Sequence, residues 1–267
     1  MNKKISISFI GTGKYLNFFP RYYETFMEYF VPECYKHFFV FTDGEFGDDV
    51  PENITLIRSE ENDQISQSDY SALNWYNLMY NSIGGLRRFG ELLKIKDLLS
   101  EYDWYIYFDA DMYCCPKTIT YEEFFDDKKS FFAVQHPTFS PYWKKHEIVN
   151  KNILPFERNE LSTACVSDEM QKDDIYVQGC VWGGKIPDVF KLMCELDGRV
   201  KHDLEKNILA KAHDESHLNK YRMENIDDFN ILSPCFAKPG NYPDNEFIFS
   251  EARIIHSPLD KHKILDA

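Results

Sequence analysis

The stretch Trp104-Tyr105-Ile106-Tyr107-Phe108-Asp109-Ala110-Asp111-Met112 constrains this chain most. Five apolar or aromatic residues in a row predict a strand covered on both faces, as in a parallel sheet. Two carboxylates follow at i and i+2. Side chains alternate along an extended chain, so Asp109 and Asp111 point the same way from the strand's C-terminal end. In open α/β sheets that end is where ligands bind. Two acids facing one spot repel each other unless a cation sits between them. Oxygen donors of this kind suit a hard divalent ion, Mn²⁺ or Mg²⁺. An isolated Asp-x-Asp is more often a solvated turn; the hydrophobic strand running straight into this one favours the ion site.

The chain has 267 residues, enough for one large α/β domain or two small ones, and its 43% hydrophobic share supports a sizeable core. Aromatic residues are abundant; stacking on sugars or bases is one use for them, core filling the default. The net charge of −14 argues against nucleic acid or an anionic membrane as a partner, because neither finds a basic surface here. Apolar runs are strand-sized, so no transmembrane segment is expected. The run after the basic start, Ile5 to Gly11, contains two serines and lacks the features of a signal peptide. Seven cysteines, with Cys114 and Cys115 adjacent and no CxxC, fit reduced thiols and a cytoplasmic location. No zinc-ligand spacing is present.

Along the chain, Ile5 to Ile10 alternates and predicts the first strand. Gly11-Thr12-Gly13-Lys14-Tyr15 forms a turn where backbone can approach a nucleotide, although it is neither GxGxxG nor a P-loop and equally suits a plain tight turn. An aromatic helix is expected from about Asn17 to Phe30. His37 to Asp43 and Ile54 to Arg58 predict two more strands, and residues 60–70 a polar loop. Leu86, Phe89, Leu92, Leu93, Ile95 and Leu99 predict one helix at 3.6 spacing. After the acid pair the order changes. Phe131 to Pro137 and Ile175 to Gly184 are strand-like, residues 138–173 suit a binding loop or cover, and Val189, Met193, Leu196 and Val200 mark a helix. Asp214 is expected to cap the helix that carries Glu215 to Glu224. Ile231 to Pro234 and Arg253 to His256 predict late strands. The tail Lys261-His262-Lys263 is basic in an acidic chain, which predicts anion capture by a tail that is loose until the anion arrives. A βαβα opening with a mixed second half predicts one α/β domain with a mixed, mostly parallel sheet flanked by helices.

The block His213-Asp214-Glu215-Ser216-His217-Leu218-Asn219-Lys220-Tyr221 closely resembles a signature of glycosyltransferase family six, which includes the blood-group A and B transferases, the α-1,3-galactosyltransferase and soluble bacterial relatives. Thr12 to Tyr15, Arg88-Phe89, Phe108 to Asp111, His136-Pro137, Phe156 to Arg158 with Ser162 to Ala164, Trp182 to Gly184 and Ile231 to Pro234 resemble it in the same order. The resemblance implies a GT-A fold, with a nucleotide-binding half at about residues 1–115 and an acceptor-binding half with the basic tail at about 116–267. It implies transfer of Gal or GalNAc from a UDP-sugar to a galactose-containing glycan acceptor, in α-1,3 linkage with retention, dependent on Mn²⁺ or Mg²⁺. By position it places Ile10, Gly11 and Tyr15 at the uridine and Arg88 near the donor. Asp109 and Asp111 would hold the metal, and Gln178, Gly179 and Cys180 would discriminate the donor sugar. Asp214 would hold that sugar, with Glu215 as the catalytic carboxylate. His136 and His213 would contact acceptor or donor, and Lys261 would cover the diphosphate.

The chain departs from the family at Ala212, where relatives often carry Trp, and after Pro234, where an aromatic cluster is missing. Many bacterial relatives carry Asn-x-Asn and work without metal; Asp-Ala-Asp here implies metal dependence. Two other classes compete. A haloacid-dehalogenase-type phosphotransferase also puts Asp-x-Asp after a hydrophobic strand, but near the domain start and followed by Thr or Val. A non-catalytic sugar-binding module would release no UDP.

Overall fold

The computed structural model describes residues 3–47, 49–59, 85–143, 154–243, 246–248 and 251–266. The expected loop at residues 60–70 lies outside them. A seven-stranded sheet runs in the order β3-β2-β1-β4-β7-β6-β8. Its strands are β1 (Lys4–Ile10), β2 (Tyr35–Thr42), β3 (Ile54–Arg58), β4 (Trp104–Phe108), β6 (Phe131–Gln135), β7 (Val177–Lys185) and β8 (Phe229–Leu232). The first four are parallel, β7 runs antiparallel to both its neighbours, and β8 is parallel to β6. The sheet is therefore mixed and mostly parallel, as the sequence predicts.

Strand β4 is buried along its whole length because each face meets a helical layer. Trp104, Ile106 and Phe108 join a core with Phe19, Tyr22, Phe26 and Phe30 of helix α1 (Phe19–Tyr29) and its end. Tyr105 and Tyr107 face the opposite core, where Val189, Leu192, Met193, Leu196 and Val200 of helix α4 (Asp188–Glu205) pack. Period-two alternation along the strand thus feeds two hydrophobic layers. Between them lie α2 (Arg88–Leu92) and α3 (Tyr121–Phe124) in sequence.

The single helix expected over Leu86 to Leu99 is instead a short α-turn, α2, followed by 3₁₀ geometry from Leu93 to Glu101. Leu86, Phe89, Leu92, Ile95 and Leu99 are still buried, because an apolar stripe this short satisfies either period. The stretch expected as a cover, where described, carries the 3₁₀ turn Pro137–Phe139 and turns but no strand. It is pinned from below: the buried Asp203 of α4 accepts from Ser162 Oγ at 2.6 Å and Thr163 N at 2.9 Å.

A second, three-stranded sheet orders β5 (Met112–Cys114), β10 (Ile254–His256) and β9 (Lys238–Pro239). β10 pairs antiparallel with β5 so that His256 lies opposite Met112. Helix α5 (His213–Glu224) starts one residue before Asp214, so Asp214 occupies its first turn rather than the cap expected for it. Its carboxylate accepts from backbone N–H groups of that turn and is also engaged by Arg88 at 3.2 Å. The basic tail forms helix α6 (Lys261–Leu265), with Ile264 and Leu265 against the main core. All seven cysteines are free. No helix among the described residues is long and apolar enough to cross a membrane.

Gly183 of β7 faces the backbone of β4 so closely that a Cβ would lie 2.2 Å from the Tyr105 carbonyl oxygen. Gly198, exposed on α4, has nothing within 4 Å of such an atom. Gly183→Ala should therefore cost at least about 1–3 kcal/mol, as overpacking does, whereas Gly198→Ala should add about 0.5–1 kcal/mol by helix propensity. Urea midpoints of the two variants that moved in the same direction would contradict this.

Candidate active site

The site forms where β4 ends beside the start of the antiparallel β7. The Asp109 N–H donates to the Cys180 carbonyl at 3.0 Å, so the acid pair and the segment Gln178-Gly179-Cys180 share one edge. Helix α5 abuts the same edge because the buried Asn219 side chain imitates a neighbouring strand. Its Oδ1 accepts from Val177 N at 2.9 Å and its Nδ2 donates to Val177 O at 2.7 Å. That clamp sets the register in which Gly179 N donates to Glu215 Oε2 at 2.7 Å. A Cβ on Gly179 would come within 3.2 Å of an Asp214 carboxylate oxygen, so glycine keeps the approach open.

Beneath these groups lies the buried Arg88. It ion-pairs with Asp109 at 3.3 Å and Asp214 at 3.2 Å, donates to Gly179 O at 2.7 Å, and covers the Tyr107 ring at 4.6 Å. Burial works against its charge, but Asp214, Tyr107 and Asp109 outweigh burial and hold it firmly protonated. Asp109 is pressed upward by burial, yet Arg88 and His256 together carry its pKa below the ordinary value. Tyr107 OH donates to Asp109 Oδ1 at 2.8 Å and fixes its rotamer.

Above the acids sit a histidine and a lysine. His256 Nε2 lies 3.5 Å from both Asp109 Oδ2 and Asp111 Oδ1. Burial alone would lower the His256 pKa; the two carboxylates raise it. Lys261 Nζ donates to Asp111 Oδ2 at 2.6 Å and lies 5.3 Å over the half-exposed Tyr15 ring. The tail packs here through two ion pairs, Lys261 with Asp111 and Arg21 with Asp260 at 3.1 Å.

Of the residues singled out in the sequence, Arg88, Asp109, Asp111, Gly179, Cys180, Asp214, Glu215 and Lys261 come together through these contacts. Gln178 is buried beside them, donating to the Ala237 carbonyl at 3.3 Å. Gly11 closes β1 by donating to Phe41 O at 2.9 Å, next to the buried Ile10. His136 lies beside Thr138 Oγ1 at 3.1 Å and near the Tyr176 ring. His213 is buried at the first residue of α5 with φ +50°. Burial pushes both histidines down to about 4, so they are neutral at pH 7. Sequence reasoning missed His256, Tyr107 and Tyr176. The last lies beside Glu215, whose charge raises the phenol pKa further than burial alone.

Among the described residues, Asp109, Asp111, Asp214 and Glu215 gather at a sheet end with Arg88, His256 and Lys261 beside them and the exposed Tyr15 ring at the border, an arrangement that suits a nucleotide diphosphate with a divalent ion. The sequence profile of glycosyltransferase family 6 matches residues 1–242. The chain belongs to glycosyltransferase family 6. It is a glycosyltransferase, and its α/β sheet is the GT-A-like fold of the family. It is 30% identical over 253 residues to the O-antigen biosynthesis glycosyltransferase WbnI of Escherichia coli, covering 94% of this chain and 93% of that one. It is 25% identical over 240 residues to human globoside alpha-1,3-N-acetylgalactosaminyltransferase 1, covering 88% of this chain and 60% of the relative. The rat histo-blood group ABO system transferase 2 is 25% identical over 225 residues, 82% of this chain and 59% of its own. The block that names the family is also the one that builds the site, since His213 to Tyr221 is about the first two and a half turns of α5.

Arg88 is the common counter-charge of this family 6 site. Arg88→Ala leaves the buried Asp214 and the partly buried Asp109 without it, which should cost about 3–5 kcal/mol. Arg88→Lys should recover only part, because a point charge cannot hold two carboxylates and a carbonyl at once. An alanine variant less than about 1 kcal/mol below wild type in denaturant titration would show that the acids find other partners.

Proposed function

We propose that this chain is a retaining transferase of Gal or GalNAc from a UDP-sugar to a galactose-containing acceptor, forming an α-1,3 linkage with Mn²⁺ or Mg²⁺. The observation that carries the reading is the convergence of the Asp109–Asp111 pair and Glu215 on one sheet edge, joined through Gly179 and Arg88. The names of the relatives support the sugar class and the linkage. The residues also fit a divalent ion: two carboxylate oxygens, one from each aspartate, lie equally far from a single His256 nitrogen, so they already converge on one point. When bound there by Asp109 and Asp111, the ion supplies positive charge against the diphosphate.

The chain's own residues carry the rest. Tyr107 and Arg88 hold Asp109 in place. Lys261 reaches this point on α6 and, once released from Asp111, can donate to a phosphate oxygen and stabilise the leaving group. The Glu215 carboxylate is turned by the Gly179 N–H toward the shared edge, where its charge supports the positive anomeric centre. Asp214 holds the sugar, Ile10, Gly11 and Tyr15 border the uridine, and His136 and His213 shape the acceptor side. The chain divides at about residue 115 into a nucleotide half, carrying β1 to β4, and an acceptor half. A phosphotransferase would need a nucleophilic Asp109 free to attack; here both its oxygens are engaged, by Tyr107, Arg88 and His256.

Incubating the protein with UDP-galactose and UDP-N-acetylgalactosamine, with Mn²⁺ and with EDTA, and reading UDP release, tests the proposal. Release should require the ion. UDP-galactose should be favoured about ten- to hundredfold, because the buried Cys180 is bulky for a wall near C2 and overpacking costs about 1–3 kcal/mol. Full activity in EDTA would overturn the metal role, and no release from either donor would overturn the donor class.

Glu215 has a second signature. Burial pushes its carboxyl up to about 7, with Asp214 adding to the effect against the Gly179 N–H. An acid with a raised pKa ionises only as pH climbs through that value, so kcat/KM should rise between pH 6 and 8. The same group favours the folded state below its ordinary value of 4.5 and withdraws that support as pH rises through about 7. Glu215→Gln should therefore lose at least about a hundredfold in turnover yet gain up to about 3 kcal/mol over wild type at pH 8. UDP affinity should barely move. A variant with near-normal turnover would remove Glu215 from the chemistry.

A further inference from the structure

Three side chains that no sequence spacing connects meet at the acid pair. Ligand atoms of Asp109, Cys180 and His256 all lie within 4.8 Å of one another. Asp109 follows β4, Cys180 lies in β7 and His256 ends β10. Donors bound to one small divalent ion stand about 3.4–3.8 Å apart, given bonds of about 2.0–2.3 Å. The three groups are therefore roughly 1 Å from closing on an ion, a distance that side-chain torsions cover. Asp111 Oδ1, 3.5 Å from His256 Nε2, borders the same space.

We propose that His256 and Cys180 complete, with Asp109 and Asp111, a mixed nitrogen–sulfur–oxygen site that selects a borderline divalent ion over Mg²⁺. The inference rests on the reading of the acid pair as the ion site and adds two ligands to it. The scaffold supports the arrangement. Asp109 is fixed by Tyr107 and Arg88, and its backbone N–H is bonded to the carbonyl of Cys180 itself. His256 is set by the β10–β5 register, and the next residue, Ser257, donates from Oγ to Asp111 Oδ2 at 3.1 Å. The donor chemistry then decides the ion. Two carboxylates alone accept Mg²⁺ or Mn²⁺ equally well. An imidazole nitrogen and a thiol sulfur are poor partners for Mg²⁺ and good ones for Mn²⁺, Co²⁺ and Zn²⁺ in rising order of affinity for nitrogen and sulfur. When the sulfur binds as thiolate, its proton leaves to solvent.

Co²⁺ is the probe, because sulfur ligation gives it a charge-transfer absorption that oxygen and nitrogen ligation do not. The full chain is titrated with Co²⁺, with and without UDP, as wild type and as Cys180→Ser, His256→Gln and Asp109→Asn, with circular dichroism as the check of folding. The wild-type complex should show the sulfur band, and Cys180→Ser should bind Co²⁺ without it. His256→Gln should weaken Co²⁺ binding at least about tenfold, and Mg²⁺ should compete poorly against wild type. A wild-type spectrum unchanged in Cys180→Ser, or an affinity unchanged in His256→Gln, overturns the proposal. If Asp109→Asn alone abolishes binding, the acid pair remains the ion site and only the added ligands fall. If Asp109→Asn also binds normally, the acid-pair reading falls with them.

Discussion

Arg88 is the interaction on which the rest of the site depends. A guanidinium buried between two carboxylates and a backbone carbonyl ties together the end of β4, the start of β7 and the first turn of α5. Each of those elements would be unstable in its place without it. Asp214 is buried and Asp109 partly so, the two acids repel each other, and the Gly179 carbonyl stands at a strand end where the ladder has stopped. One planar, always-charged group answers all three needs, and its five donors make that geometry possible. Burial costs the group heavily, so the cluster contributes specificity of arrangement more than raw stability.

Strand β4 was legible in the sequence because both its faces are apolar and its end is marked by charge. β1, β3 and the helix α4 were legible for the same kind of reason, since their periodicity has one interpretation. The stretch from Leu86 to Leu99 was not, because five apolar residues at spacings of three and four are compatible with α and 3₁₀ turns alike. Asp214 looked like a cap from its position before a helix; its partner, Arg88, lies more than a hundred residues away. His256 was invisible for a similar reason. It sits at the end of a three-residue strand, and only the antiparallel pairing with β5 carries it to the acids. The family signature His213 to Tyr221 could be read as a string, but the work of Asn219, imitating a strand partner for Val177, belongs to the fold.

The site also shows why stability and chemistry diverge in this chain. Glu215 is held in a partly buried pocket that prefers it neutral, while the proposed reaction asks for its charge. The Gly179 N–H offsets this in part, together with Tyr176 and Arg88, and it reaches the carboxylate because β7 starts where β4 ends.

The contact between Lys261 and Asp111 has a consequence in terms of linked equilibria. On the proposed reading, the tail lysine and a divalent ion compete for the Asp111 carboxylate. On the proposed reading, a phosphate that draws the lysine toward itself vacates Asp111 and thereby raises the affinity for the ion. Coupling of this kind is reciprocal, so the ion must raise the affinity for the nucleotide by the same factor. The two ligands then arrive and depart as a pair. On that reading, the Lys261–Asp111 pair keeps the acidic pocket electrically satisfied between turnovers.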